Sequence, residues 1–238
     1  TPTPTPDFVV EDGTLVGYNG TDTDVIVPET VDGQTITAID FFAFNFNEDI
    51  NSIILPDSIT EIDPQAFAWC TNLKKVVLPK NLTEISGGLF RKCTSLEIIE
   101  LPKTVTFIDA GAFEGCSGLK EITIPDGVEK IYDDTFDECT SLTKINLPAS
   151  VTAIANGAFG SCTSLESIDL DNISSIDKYA FYNCTGLTEL TIGENPITIS
   201  AFAFEACSNI TKVTVKNSET SLTDTGLEDL ENLSIYGY

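Results

Sequence analysis

Apolar residues recur along most of this chain in a compound pattern, part alternating and part turn-like. From Leu142 to Ser164 it reads L-x-x-I-x-L-P-x-x-V-T-x-I-x-x-x-A-F-x-x-C-T-S. The opening alternates: Ile145 and Leu147 point one way, Lys144 and Asn146 the other. A period of two predicts a half-buried strand. Pro148 then removes a ladder donor and predicts a corner. Val151 and Ile154 predict a second, shorter extended segment on the way back. Ala158, Phe159 and Cys162 stand at i, i+1 and i+4, which predicts one short helical or 3-10 turn with all three inward.

This unit repeats. The cysteines are Cys70, Cys93, Cys116, Cys139, Cys162, Cys184 and Cys207, spaced by 23 residues except for one interval of 22. Phe67, Phe90, Phe113, Phe136, Phe159, Phe181 and Phe204 precede them by three, and Phe44 adds a further interval of 23 upstream. Pro56, Pro79, Pro102, Pro125 and Pro148 keep the same step. One such unit cannot bury its apolar side alone, so units must stack as coils of a solenoid. Nine or so coils at ~4.8 Å each would span roughly 40 Å.

Stacking decides what the cysteines do. Equivalent side chains in successive coils run parallel, whereas a disulfide needs Cβ atoms converging to about 3.8 Å. No two cysteines lie closer than 22 residues, so close pairs of zinc ligands are absent. A nucleophilic thiol commonly uses a histidine base, and the chain has no histidine. The seven thiols are therefore expected to be reduced core residues.

Composition narrows the function. With 37 acidic and 12 basic residues the formal charge is −25, which repels nucleic acid and anionic lipid. Nucleic-acid binding is excluded. No apolar run approaches the ~20 residues of a bilayer span, so membrane association is expected only through an anchor outside this segment. Methionine is absent, and the chain is read as a trimmed form of a longer protein. Lack of histidine removes Ser-His and Cys-His catalysis. A carboxylate pair could hydrolyse a glycoside, but no acid breaks the repeat rule. The expectation is a non-enzyme without cofactor or metal. The D-x-D pairs Asp22/Asp24 and Asp169/Asp171 are read as chance products of an acidic surface.

The eight A-F-x-x-C slots in register, with Leu89 and Thr135 replacing alanine, resemble the BspA-like, treponemal-type leucine-rich repeat. Residues 8–24 resemble that family's N-terminal cap hairpin, with Asn19-Gly20 as a plausible turn. Residues 25–215 carry the repeats, with an insertion near Val31 to Thr35. Residues 216–238 form a last irregular repeat, and NLSIYGY resembles the start of a C-terminal cap. Residues 1–7, TPTPTPD, read as a stiff linker or a plain tail. The fold class implied is an α/β repeat solenoid, a right-handed coil with a parallel β-sheet on one face and short β segments and helical or 3-10 turns on the others. The resemblance further implies a cell-surface or secreted location and adhesion to host or neighbouring cells. A protein or glycan ligand and a monomeric state are expected; the alternative is a passive spacer or surface-layer component.

A ligand would meet the sheet's outward residues. One row is Ser52, Lys75, Ile98, Glu121, Lys144, Ser167, Glu189 and Lys212; the other is Ile54, Val77, Glu100, Thr123, Asn146, Asp169, Thr191 and Thr214. Ile54, Val77 and Ile98 cluster where polar residues would serve, which marks a contact patch or simple β-propensity. Glu121 with Lys144 and Glu189 with Lys212 read as cross-strand surface pairs. Phe46 and Trp69 fill a normally polar turn slot, and the favoured reading places them beneath the N-terminal cap beside Phe41 and Phe42.

Overall fold

The computed structural model describes residues 7–228 and 234–237. Most of the Thr-Pro tract and residues 229–233 and 238 of the expected C-terminal cap lie outside the described residues.

The chain opens with a hairpin, Phe8–Glu11 antiparallel to Thr14–Tyr18. Its turn is Asp12-Gly13, both at positive φ (48° and 81°), and not the expected Asn19-Gly20. A two-residue turn matching strand twist needs two left-handed residues, which Asp-Gly supplies at little cost. The insertion is a second small hairpin, Thr30–Val31 with Gln34–Thr35.

Parallel strands Asp24–Ile26, Ser52–Ile54, Lys75–Val77, Ile98–Ile99, Glu121–Thr123 and Lys144–Asn146 form one sheet. Their register matches the repeat: Ser52 opposes Lys75, and Glu121 opposes Lys144. Glu189–Ile192, Lys212–Val215 and Ser234–Gly237 continue in parallel as a separate sheet. The expected single sheet is thus broken at Ser167 to Leu170, which form no strand. This is the coil shortened by one residue. There Asp169 Oδ1 accepts the backbone N–H of Asp171 at 2.9 Å, a donor that the prolines at this slot in the preceding coils lack. Two-residue strands such as Lys130–Ile131 and Ala153–Ile154 form the expected return segment and pair coil to coil.

The A-F-x-x-C segment corrects the expectation of a helical or 3-10 turn, because no helix occurs among the described residues. Alternate amides bond in different directions. The N–H groups of Gly111, Phe113 and Gly115 donate to the carbonyls of Asp133, Thr135 and Asp137 one coil on. Those of Ala112, Glu114 and Cys116 donate three residues back, to Asp109, Gly111 and Phe113. A helix satisfies its amides internally; here half of them tie neighbouring coils, and the segment is a third ladder along the solenoid. Two left-handed residues per coil make the alternation possible, such as Gly111 (φ 62°) and Gly115 (φ 71°) or Asp134 (53°) and Glu138 (57°).

The core is one continuous cluster. Phe44, Phe67, Phe90, Phe113, Phe136, Phe159, Phe181 and Phe204 are fully buried and stack in a column, with centroids 5.1–5.7 Å apart. Tyr18 of the first hairpin covers the open end at 5.6 Å from Phe44, with Phe8 behind it. All seven thiols are free and buried.

Candidate functional site

Alternation along each parallel strand turns one row inward and two outward. Ile53, Val76, Ile99, Ile122 and Ile145 are buried, and the residues flanking them line the open face. All sixteen sheet-face candidates are exposed or half-exposed, although Ser167 and Asp169 sit on the loop that interrupts the sheet. Ile54 (42% exposed), Val77 (38%) and Ile98 (58%) form the expected apolar patch. Ile26, at 68%, lengthens it, opposing Ile54 on the first strand. The sequence carried that signal in Val25-Ile26-Val27, the same alternation one coil earlier.

Beyond the patch the face is polar. Lys212 Nζ lies 3.0 Å from Glu189 Oε2, as expected. Glu121 and Lys144 oppose one another in register without an ion pair. Asn146 Nδ2 donates to Thr123 Oγ1 at 2.9 Å. The carboxylates of the two D-x-D pairs already have protein partners. Asp24 Oδ1 accepts from Ser52 Oγ, and Asp171 lies 3.6 Å from Lys216 Nζ.

The turn face carries aromatics that sequence reasoning misplaced or missed. Phe46 (66% exposed) and Trp69 (40%) stack at 5.8 Å in the open rather than beneath the cap. The cap hairpin reaches the end of the phenylalanine column through Tyr18, which leaves the turn face uncovered. Phe42, 69% exposed, stands beside them, edge-on to Phe41. A second group, Tyr179, Tyr182 and Phe202, lies toward the other end, with Tyr179 stacked on Phe202 at 5.8 Å. These residues fill slots that hold Asp134, Asp137 or Gly157 elsewhere, the anomaly already visible at Phe46 and Trp69.

The thiols do not take part in either face. Burial pushes Cys70 up to about 12 and raises Cys93, Cys116 and Cys162 well above the usual thiol range. Among the described residues, no group of three or more Cys, Asp or Glu is placed to hold a metal ion. No helix of the described residues is long and apolar enough to cross a membrane.

Short coils stacked on a parallel sheet, closed by an apolar column and open on two faces, define a leucine-rich-repeat solenoid. The chain belongs to the BspA type leucine rich repeat family, whose model matches residues 27–120 and 107–234 in six copies. It is similar to the leucine rich repeat protein of T. pallidum, at 26% identity and TM-score 0.68 over 87% of this chain and 90% of that one. It also resembles a leucine-rich repeat protein from Bacteroides ovatus, at 25% identity and TM-score 0.67, covering 98% of this chain and 76% of the other. A leucine rich cell surface protein from Faecalibacterium prausnitzii shares the fold, at 20% identity and TM-score 0.59 over 100% and 95%. No curated protein matches the chain significantly.

Proposed function

We propose that this chain is a non-catalytic recognition module, displayed at a cell surface or secreted, whose sheet face binds a protein or glycan on host or neighbouring cells. The observation that carries the reading is the strip of Ile26, Ile54, Val77 and Ile98 on an open, flat face. Contiguous exposed apolar side chains cost solubility unless a partner covers them. The buried core accounts for the inward row; for the outward one, four exposed neighbours favour a covering partner over the β-propensity of single residues. Display is part of the same proposal; of the proteins that share the fold, the one from F. prausnitzii is a cell surface protein. Thiol and histidine catalysis has no support in the side chains, since the thiols are buried and histidine is absent.

Binding of labelled protein to cultured epithelial cells and to immobilised extracellular-matrix proteins tests the reading. The triple variant Ile54→Asp, Val77→Asp, Ile98→Asp should lose at least tenfold in affinity while keeping its circular-dichroism spectrum. Equal binding by the variant and the wild type would remove the sheet face from the proposal. If deleting any single coil weakens binding by the same amount, the solenoid acts as a spacer instead.

A further inference from the structure

The turn face can be read as a grid, because the slot before alanine and the two slots after phenylalanine carry exposed or half-exposed side chains in most coils, Ala68 being a buried exception. In the coil of Phe159 those slots hold Gly157, Gly160 and Ser161, whereas the preceding coil has Asp134, Asp137 and Glu138. The following coil has Tyr179, Tyr182 and Asn183. No other coil lacks a side chain at both Gly157 and Gly160 positions; Gly88 and Gly111, for instance, are each followed by Arg91 and Glu114. The result is a trench one coil wide, about 470 Å³, with Asp134 and Asp137 on one wall and Tyr179 and Tyr182 on the other, Glu205 lying one coil beyond the tyrosines. Its walls are two coil spacings apart, roughly 10 Å.

We propose that this trench is a binding site for a Lys or Arg side chain of a partner peptide, held between Asp134 and Asp137 on one side and the rings of Tyr179 and Tyr182, with Glu205 one coil beyond them, on the other. The proposal rests on the reading of the solenoid as a protein-binding module and names a second face and a partner chemistry for it.

Three observations support it. First, the floor is bare backbone. A Cβ on Gly157 would collide with Oδ1 of Asp134, and one on Gly160 with Oδ1 of Asp137, so the carboxylates of one coil lean over the glycines of the next. Second, the charge there is only partly compensated, by the field of Arg91 at Asp134. Arg91 is engaged by Glu114 at 2.8 Å and Lys92 by Glu138, while Asp134, Asp137 and Glu205 form no ion pair among the described residues. Burial, and then the charges of Asp134, Glu138 and Glu114, raise Asp137 to about 6. An incoming cation relieves that repulsion and a neutral sugar does not. Tyr179 and Tyr182, edge to face at 6.0 Å, offer ring faces to the same cation.

Third, the protein performs this contact on itself. Lys92 lies across Gly115, its Nζ 2.9 Å from where a Cβ would stand, and reaches Glu138 two coils on. An empty glycine slot is thus filled by a cationic stem whose head meets an acid. At Gly157 and Gly160 the slots are filled instead by the carboxylates of Asp134 and Asp137, whose heads stand at the trench without an ion-pair partner among the described residues.

The test is titration of the full chain by NMR, at physiological salt, with an acetylated and amidated Gly-Gly-Arg-Gly-Gly peptide and its Gln counterpart. The Arg peptide should shift the Gly157 and Gly160 amides, and the Gln peptide should not. Asp137→Asn and Tyr182→Ala should each weaken binding fivefold or more, and Gly160→Glu, which installs the residue Glu114 already provides in another coil, should abolish it. Glu61→Gln, on the two-residue return strand of a distant coil, should leave it unchanged. The proposal is overturned if both peptides behave alike, or if Glu61→Gln weakens binding as much as Asp137→Asn, which would reduce the effect to net charge. It is equally overturned if a neutral oligosaccharide shifts these amides and the Arg peptide does not. Cell binding that survives Gly160→Glu but not the sheet-face triple variant would confine a failure to the trench and leave the display reading standing.

Discussion

The sulfur of Cys139 donates a hydrogen bond to the carbonyl oxygen of Phe113 in the preceding coil, at 3.3 Å. The relation recurs from Cys70 with Phe44 to Cys207 with Phe181. Each carbonyl is shared: that of Phe113 also accepts the N–H of Cys116 within its own coil. The thiol therefore does more than fill space. It is small enough for the column and supplies a weak donor between coils, which alanine or valine would not.

The thiols should be inert in the folded protein. Burial disfavours the thiolate, which is the reactive form, and leaves no path for a reagent. Ellman's reagent should titrate fewer than one thiol per native chain and all seven in guanidinium. Cys139→Ala should cost about 1–2 kcal/mol in urea denaturation, a small figure because Phe113 keeps its other hydrogen-bond donor.

Phe136 occupies the middle of the column, stacked 5.4 Å from Phe113 and 5.5 Å from Phe159. Phe136→Ala removes both contacts and leaves a cavity that rigid neighbours cannot fill, so a loss of about 3–5 kcal/mol is expected. The core packs from each coil to the next, so this lesion should also split the urea transition into two steps. A single transition with an unchanged midpoint would contradict the column's role.

Asp137 makes stability depend on pH in an unusual direction for a carboxylate. Burial raises its folded pKa from 3.8 to about 6, so the protonated form favours the native state. Its contribution is fully present below pH about 4 and is lost as pH rises through about 6. Asp137→Asn should stabilise the protein by about 1 kcal/mol at pH 7, allowing for solvent screening of a half-exposed group, and by nothing at pH 3.5. Urea midpoints at the two pH values measure this. The same variant should weaken peptide binding, which separates the carboxylate's use from its cost.

Trp69 reports on the turn face directly. It is 40% exposed and lies on Phe46, so acrylamide should quench its emission efficiently in the native state. Quenching as weak as for a core tryptophan would mean that the cap covers this ridge. Trp69→Ala should lower stability by no more than about 1 kcal/mol, since the indole shields little of the core.

The chain's covalent order was enough to determine the coil length, the inward Phe and Cys columns, the alternation of the sheet strands and the two outward rows. Each depends on a residue's own type and its spacing, as with Ile145 between Lys144 and Asn146. What depends on neighbouring coils was decided only in three dimensions. Alternate amides of the A-F-x-x-C segment found partners one coil away, which turned a predicted helical turn into a ladder. The sheet is interrupted at Ser167 to Leu170, in the coil that is one residue short. Trp69 stayed in the open because the cap met the column's end through Tyr18. The trench at Gly157 and Gly160 exists only because acids and tyrosines flank it from adjacent coils. Local periodicity records what one coil must bury; which donors, charges and rings come together across coils is a property of their stacking.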